Sequence, residues 1–400
     1  MCVASLLSGL ALSVAAPAAA RDLDVAIGKA VFDRLWVQAP ASTKSADGLG
    51  PLYAARSCAS CHAGSGGRTT FRLGRDDPAE HPGLVIRFGD GVGNSDAVYG
   101  AQLQPAGLSG AAGEGRAVVR FDPASDGMPP RPRWSVDELG YGPLSPQTRA
   151  SPRVASSLAG VGLLARVSDA EIRSREDPDD RNRDGVRGRA ARLSSGEIGR
   201  FGWKASEPTL HAQAAAAFSL DLGLSTDLRP DPAGDCTDAQ TACRFAPQGS
   251  EDGEPEVAPA LMAGLLAFLE RRPAPAAPET AKGAKTFASV GCAACHAPSL
   301  ALEGGGEARA FTDLLLHDMG EALDNGAGEG AAKSREWRTA PLWGLSRALA
   351  QGSGLMHDGR AKDVAEAVHW HGGEATGAKN RFDALTKAER DALVAYVSGL

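Results

Sequence analysis

The sequence predicts a mainly α-helical protein of two domains, with long loops and a few short strands. Apolar residues recur at helical spacing in residues 24–36, 258–271 and 280–290, and an Ala-rich helix is predicted over 208–222. Ser168 and Thr386 each begin the Ser/Thr-x-x-Glu pattern of a helix capping box. The 400 residues include 49 glycines and 25 prolines, which favours many loops around this helical frame.

Two five-residue segments share one pattern, Cys58-Ala-Ser-Cys61-His62 and Cys292-Ala-Ala-Cys295-His296. Two thiols three positions apart, followed directly by a histidine, are the attachment pattern of c-type haem. The thiols capture two vinyl groups of one porphyrin, and the histidine ligates the iron. A redox dithiol or half of a zinc site would explain a lone Cys-x-x-Cys, but not a histidine at the same place in both copies. We therefore predict two covalently bound c-type haems, with His62 and His296 as proximal ligands.

The other cysteines and the N-terminus indicate export. Cys236 and Cys243 lie in a short polar loop that suits a local disulfide, and disulfides and c-type haem both point to an oxidising compartment. Residues 1–20 are predicted to be a signal peptide, because 3–16 are almost continuously apolar and three alanines precede Arg21. The charged start of such a peptide is missing, so the true start codon is expected upstream. No later stretch is long and apolar enough to span a bilayer, which predicts a soluble periplasmic protein.

The chain order predicts two haem domains. Residues 21–272 form the N-terminal domain, the proline-rich segment 273–278 is the linker, and residues 279–400 form the C-terminal domain. Between residues 64 and 152 the chain is rich in Gly, Pro and Asp. Its two short apolar runs, 83–88 and 116–121, predict small strands draped over the first haem. The net charge of −7 argues against nucleic-acid binding and is compatible with a basic electron-transfer partner.

Longer segments resemble the bacterial di-haem oxidoreductase family, whose members are described as peroxidases or thiol oxidoreductases. The segments that carry the resemblance are residues 47–52, 197–205, 312–320, 336–344, 357–361 and 370–375. More distantly, Arg338-Thr-Ala-Pro-Leu followed by His-Asp-Gly resembles the di-haem cytochrome c peroxidases and the di-haem enzyme that matures methylamine dehydrogenase. These relatives imply two cytochrome-c-like helical domains whose haems have unequal roles.

The resemblance also implies a distal ligand for the second haem. In the peroxidase-like relatives it lies fourteen residues after the histidine of His-Asp-Gly, and that position is His371, where the relatives have methionine or tyrosine. A short helix capped by Asp363 should end at Trp370. His369 and His371 lie roughly 200° apart around it, so only one can face the iron. Met319 is the alternative ligand, and a surface histidine beside a Gly-Gly helix stop is the alternative interpretation of His371.

The first haem is the expected site of chemistry. The peroxidases place a displaceable histidine on a loop after the first haem motif, and His81 is the only histidine in that stretch. A solvated loop histidine is the other interpretation. In that case the iron is five-coordinate or bound to water, with Glu80 or Arg68 as polar groups near bound peroxide. Trp203 is a candidate electron relay between the haems, or else a core tryptophan.

One acidic loop has the ligand spacing of a calcium site. Asp180, Asn182 and Asp184 are followed by Gly185. The twelfth position is Ala191 rather than glutamate, and two arginines within the loop offset its charge. Because the peroxidase relatives hold calcium near the haem interface, a calcium ion and a solvated turn both stay open.

The leading functional prediction is a periplasmic di-haem oxidoreductase of cytochrome c peroxidase type. Its C-terminal haem would accept electrons from a small cytochrome c or cupredoxin and pass them to the N-terminal haem, where peroxide is reduced. The alternatives are a non-enzymatic electron carrier, and an oxidase that acts on a side chain of a partner protein. Thiol chemistry has no support in the residues, because only Cys2 is left unassigned.

Overall fold

The computed structural model describes residues 18–108, 110–124, 129–250, 253–276 and 281–400. The helices are Ala18–Asp33 (α1), Cys58–Cys61 (α2), Ala63–Gly66 (α3), Val161–Ala165 (α4), Asp169–Ser174 (α5), Leu210–Asp221 (α6), Thr241–Arg244 (α7), Pro259–Glu270 (α8), Ala281–Val290 (α9), Leu345–Ala350 (α10), Val364–Trp370 (α11), Thr376–Asp383 (α12) and Lys387–Ser398 (α13). Single 3₁₀ turns occur at Lys44–Ala46, Cys292–Ala294, Glu321–Leu323 and Gly373–Ala375.

The strands form antiparallel two-stranded sheets. In chain order they are Leu52–Tyr53 (β1), Leu84–Gly89 (β2), Ala106–Gly107 (β3), Arg116–Phe121 (β4), Pro132–Asp137 (β5), Arg149–Val154 (β6), Ala191–Arg192 (β7), Ile198–Gly199 (β8), Leu300–Ala301 (β9), Glu307–Ala308 (β10), Leu316–Asp318 (β11) and Glu336–Arg338 (β12). The pairs are β1 with β3, β2 with β6, β4 with β5, β7 with β8, β9 with β10, and β11 with β12.

The prediction of a mainly α-helical protein is wrong. Helices make up 31% and strands 15% of the described residues, and a cytochrome-c-like fold is not seen in that part of the chain. The strands at 84–89 and 116–121 agree with the predicted ones, but each pairs with a strand that the sequence did not indicate, β6 and β5. Both missed strands contain proline and arginine, which weaken a strand pattern.

The two long β-pairs have an apolar core of their own. Ile86, Phe88 and Tyr99 are almost fully buried there together with Val136 and Val154. The sheets pack their apolar faces together, as antiparallel strands of alternating polarity require. The described strands between residues 64 and 152 therefore belong to a packed unit with an apolar core.

The long helices begin and end close to where the sequence placed them. Ser168, Asp363 and Thr386 each accept a hydrogen bond from a backbone N–H of the first turn, and Thr386 forms the full capping box with Glu389. These helices were predictable because capping is local.

Helices α1 and α8 lie in close contact in the N-terminal half. A Cβ atom on Gly28 would lie 1.9 Å from the carbonyl oxygen of Gly264, so only glycine permits this approach. Phe32 packs against Phe268 at the same interface, with ring centroids 5.3 Å apart. In the C-terminal half Phe287, Phe311 and Tyr396 pack edge to face. Each half thus has an aromatic cluster beside one of the two Cys-x-x-Cys-His motifs.

The structure describes the predicted disulfide but only the end of the predicted signal peptide. Cys236 and Cys243 form the predicted disulfide, with their Cα atoms 6.1 Å apart. The predicted signal peptide falls mostly outside the described residues, and its last residues, 18–20, belong to α1. None of the described helices combines the length and the apolar composition needed to cross a bilayer. The predicted linker starts directly after α8, and its end lies outside the described residues.

Candidate functional site

The first motif is a single helical turn that points its histidine into a cavity. Ser57 caps α2 by accepting the backbone N–H of Ser60, and His62 follows the turn as its C-cap. The Nδ1 atom of His62 lies 2.9 Å from the carbonyl oxygen of Ser156. A carbonyl can only accept, so Nδ1 donates and the lone pair resides on Nε2. Burial lowers the pKa of His62 to about 4, which keeps the ring neutral and able to ligate a metal.

A cavity of about 540 Å³ lies against this motif. Cys58, Cys61 and His62 are on its wall, and one face of α6 lies along it. That face consists of Leu210, Gln213, Ala214, Ala217, Phe218 and Asp221, which recur every three or four residues.

The second motif repeats the arrangement in the C-terminal half. Cys292 begins the 3₁₀ turn Cys292–Ala294 and Cys295 is its C-cap, and the Nδ1 atom of His296 lies 3.0 Å from the carbonyl oxygen of Phe311. Burial lowers the pKa of His296 to about 4, and neighbouring His371 adds to this effect. The cavity beside it measures about 490 Å³. Both motifs therefore present a neutral imidazole with a free Nε2 atom.

His371 lies in the second cavity together with His296. Asp363 caps α11 as predicted, and the helix ends at Trp370. The Nδ1 atom of His371 lies 2.6 Å from the carbonyl oxygen of Ala367, and burial lowers the pKa of its ring. His369 lies at the surface, 3.2 Å from Asp383. Met319, the alternative ligand, lines the same cavity.

The four motif cysteines carry no disulfide. Burial raises the pKa of the Cys58 thiol to about 12 and that of Cys292 to about 11, and it raises the pKa of Cys61 as well. Protonated thiols are poor nucleophiles for disulfide exchange. The two pairs are thus unlike the low-pKa Cys-x-x-Cys of thiol oxidoreductases.

The two cavities share one wall. The residues that line both are Arg68, Trp203, Arg338, Ala340, Pro341, Leu342 and Leu345. Most of this wall is the segment Arg338-Thr-Ala-Pro-Leu, which the sequence singled out as a family-like motif. The motif therefore separates the two candidate haem sites by the thickness of a few side chains.

Trp203 is the aromatic residue of that wall. Its Nε1 atom donates to the carbonyl oxygen of Val154 at 2.8 Å, which fixes the plane of the indole. The centroid of its ring lies 6.4 Å from that of His357, and His357 stacks on Trp337 at 3.8 Å. His357 is buried, its Nε2 atom has no hydrogen-bond partner among the described residues, and it lines the second cavity. Three aromatic rings therefore run from the shared wall along the second cavity.

Two residues predicted near the first iron lie elsewhere. Glu80 is exposed, and neither it nor His81 belongs to the described lining of the first cavity. His81 packs edge-on against Phe71, and its Nε2 atom lies 3.4 Å from the hydroxyl of Thr70. Arg68, by contrast, lies in both cavities.

Two polar residues that line the first cavity, Glu207 and Gln213, were not predicted from the sequence. The Oε1 atom of Gln213 is buried without a hydrogen-bond partner among the described residues. Glu207 lies just before α6, 3.2 Å from the guanidinium of Arg229, and burial raises the pKa of its carboxyl. No sequence signal singled out Gln213, because α6 is apolar on nearly all sides.

The polar side chains of the candidate calcium loop form hydrogen bonds within the loop. Asn182 donates to Asp184 at 3.0 Å, and Asp180 accepts the backbone N–H of Gly185. Among the described residues, the one cluster of possible metal ligands is Cys295 with Asp313 and His317, and it lies at the second motif instead. A calcium ion at the loop stays a prediction.

His317 is held by two carboxylates. Its nitrogens lie 2.9 Å from Asp313 and 2.8 Å from Glu374, whereas neighbouring Asp318 is exposed. Asp313 and Glu374 therefore orient the imidazole of His317.

Both cavities fit a haem by their own chemistry. Each offers two thiols, a neutral imidazole whose Nε2 atom has no hydrogen-bond partner among the described residues, and largely apolar walls, and their volumes are those of cofactor pockets. The residues that would hold the groups are Cys58, Cys61 and His62 in the first cavity and Cys292, Cys295, His296 and His371 in the second.

Two such sites across one wall define a redox protein with two centres. Residues 144–400 match the model of a family described as "Di-haem oxidoreductase, putative peroxidase". The chain belongs to this di-haem oxidoreductase family, and haem is its redox group. The matched segment includes Trp203 and the second motif, and the first motif precedes it.

One solved structure is similar to the chain at low identity. It is the hydrazine synthase of Kuenenia stuttgartiensis pressurised with xenon, at 12% identity and a TM-score of 0.42, covering 100% of this chain and 98% of that one. No curated protein sequence matches the chain.

Proposed function

We propose that the chain is an exported, periplasmic di-haem oxidoreductase of the peroxidase type, with both haems covalently attached. The second site accepts electrons from a small redox protein, and the first site reduces peroxide. The observation that carries this proposal is the unequal supply of iron ligands in the two cavities.

The lining of the second cavity includes further candidate iron ligands besides its motif histidine, whereas the described lining of the first offers His62 alone. His371 faces the second cavity with His296, and Met319 is nearby. In the described lining of the first cavity, His62 is the sole histidine and no methionine occurs. A haem with one protein ligand supplies an iron with an open position, at which the polarity of the surrounding pocket decides between oxygen binding and activation. A haem with two ligands suits electron transfer.

The first cavity also holds groups suited to peroxide. The free Oε1 atom of Gln213 accepts an O–H, and the carboxyl of Glu207 holds a proton more readily because burial raises its pKa. The Arg68 guanidinium supplies positive charge at the same wall. These three residues take the role that the sequence gave to Glu80 and Arg68.

Electrons cross between the sites through the shared wall. Trp203 lines both cavities and is held rigidly by its bond to Val154. Its position favours it as the relay. The acidic chain, with a net charge of −7, suits a basic cytochrome c or cupredoxin as donor.

The test has three parts. Mass spectrometry of the exported protein should show two haems per chain, and one haem in a Cys292→Ser/Cys295→Ser variant. Low-temperature electron paramagnetic resonance should show one high-spin and one low-spin ferric haem. Stopped-flow mixing of the reduced protein with peroxide should oxidise it within seconds. Two low-spin haems that peroxide leaves unchanged would replace the proposal with a non-enzymatic electron carrier.

A further inference from the structure

Two guanidinium groups in the shared wall form no ion pair with any described residue; the carboxylates that act on them are Asp358 for Arg68 and Asp313 for Arg338. Arg68 donates through Nε and Nη2 to the carbonyl oxygen of Gly354 and through Nη2 to that of Met356. Arg338 donates from Nε to Gly202 at 2.7 Å and from Nη1 to its neighbour Thr339 at 3.0 Å. All these acceptors are neutral carbonyls. Within the described part of the chain neither arginine forms an ion pair.

Arg338 is buried and Arg68 is partly buried. Arg338 is 9% exposed, and burial lowers the pKa of both arginines to about 10, so both stay cationic at neutral pH. A buried cation without an anion is costly, and proteins normally pair it. Each arginine also keeps one terminal nitrogen, Nη1 of Arg68 and Nη2 of Arg338, that donates to no described group. The wall therefore has unused N–H donors on two cationic groups, which suit the binding of an anion.

Some other arginines of the first cavity have acidic partners. Arg153 lies 3.5 Å from Glu329, and Arg200 forms an ion pair with Asp169. Arg272 has no acidic partner, but it lines the first cavity alone, and Arg381 lines the second alone. Among the described residues, Arg68 and Arg338 are the only arginines or lysines that line both cavities.

We propose that Arg68 and Arg338 form one clamp that binds carboxylates of both haems, the propionates, at the shared wall. This inference rests on the proposed function, because it requires a haem in each cavity. The clamp sets the side of each cavity at which the carboxylates lie. Guanidinium groups suit this role because their planar donors match a carboxylate.

The clamp encloses the candidate relay. The guanidinium carbon of Arg68 lies 5.6 Å from the centre of the Trp203 ring, and the backbone N–H of Arg338 donates to the Trp203 carbonyl at 3.0 Å. Trp203 therefore links the two arginines through these contacts. Binding both carboxylate groups there orients the two haems relative to Trp203.

The test is the midpoint potential of each haem, measured by spectroelectrochemical titration of the full chain. Removing a nearby positive charge disfavours the reduced iron. Arg68→Gln and Arg338→Gln should each lower the midpoint potentials of both haems. The expected decrease is about 59 mV, which corresponds to a tenfold smaller equilibrium constant for one-electron reduction. Arg272→Gln should shift the first haem alone and Arg381→Gln the second alone. Arg338→Lys, which keeps the charge, should stay close to the unmodified protein.

Two other results would overturn the clamp. One is a shift confined to a single haem in both Arg68→Gln and Arg338→Gln, and the other is no shift in either. If Arg338→Gln fails to fold, Arg68→Gln and Arg338→Lys still decide. A chain without two haems would overturn the proposed function instead, so the two failures are distinguishable.

Discussion

The Nδ1 atom of His317 lies 2.8 Å from the carboxylate of Glu374, and its Nε2 atom lies 2.9 Å from that of Asp313. Glu374 comes three residues after His371, and it also accepts the backbone N–H groups of Asp318 and Arg187. One carboxylate thus fixes the segment that follows the candidate axial ligand to strand β11 and to the loop at 187.

This network is charged in the folded protein. Burial opposes the charge of His317, but Asp313 and its hydrogen bond raise the pKa of the imidazole well above its ordinary value. Burial also acts against the Glu374 carboxylate, yet the hydrogen bond from His317 keeps its pKa below the usual range. The folded pKa of His317 is raised, so its contribution to stability is complete below the unfolded pKa, about 6.5, and is lost as the pH rises through the folded pKa.

Glu374→Gln should destabilise the fold by about 3 kcal/mol at pH 6, because it removes one partner of a buried ion pair. The loss should be smaller at pH 10, where His317 gives up more of its proton and the pair contributes less in the unmodified protein as well. Urea denaturation at the two pH values measures both. Glu321→Gln, at a side chain that is 81% exposed, is the matched control and should change little. A loss of equal size at both pH values would contradict the charge assigned to His317.

His371→Ala should convert the second haem from low-spin to high-spin ferric iron, because His371 lines the same cavity as His296. Low-temperature electron paramagnetic resonance measures the change. His369→Ala, only two residues away but at the surface beside Asp383, should leave the spectrum as it was. A low-spin signal that survives in His371→Ala would identify Met319 as the ligand in its place.

Local signals in the sequence were sufficient for part of the fold. Asp363 and Thr386 cap helices where they were expected, since a cap depends on a few adjacent residues. The partner strands β5 and β6 were not predictable in this way. β2 and β6 are separated by some sixty residues of chain, and the alternation in β6 is interrupted by Pro152. The mainly α-helical prediction failed for that reason.

The candidate site was predictable to a similar extent. The Cys-x-x-Cys-His spacing identified His296, and the count of fourteen residues from His357 identified His371. These two histidines line the same cavity. His81 was chosen as the only histidine in the loop after the first motif, with Glu80 as its polar neighbour, and position on a loop does not determine where a side chain points. Gln213 was missed because alanine surrounds it, and a lone polar residue on an apolar helix becomes visible only once its face is known to line a cavity.

His81→Ala should leave the spectrum of the first ferric haem and its reaction with peroxide unchanged, because His81 contacts Thr70 and Phe71 rather than the cavity. Gln213→Leu, which keeps a similar volume, should slow the peroxide reaction roughly tenfold to a hundredfold through loss of a polar group in the pocket. Stopped-flow absorbance measures both rates. A slow His81→Ala variant beside a normal Gln213→Leu variant would return the loop histidine to the first iron.

Trp203→Phe should slow electron transfer between the two sites while leaving both spectra unchanged. The indole lies in the wall that the two cavities share, and phenylalanine is harder to oxidise and lacks the Nε1 donor to Val154. Rapid reduction of the second haem, followed by absorbance at both haems, measures this step. Trp134→Phe is the control, since Trp134 lies on β5 in the separate apolar core of the sheets and lines neither cavity among the described residues. Equal transfer rates in the two variants would assign Trp203 a packing role and direct the electron through the Arg338–Leu342 segment.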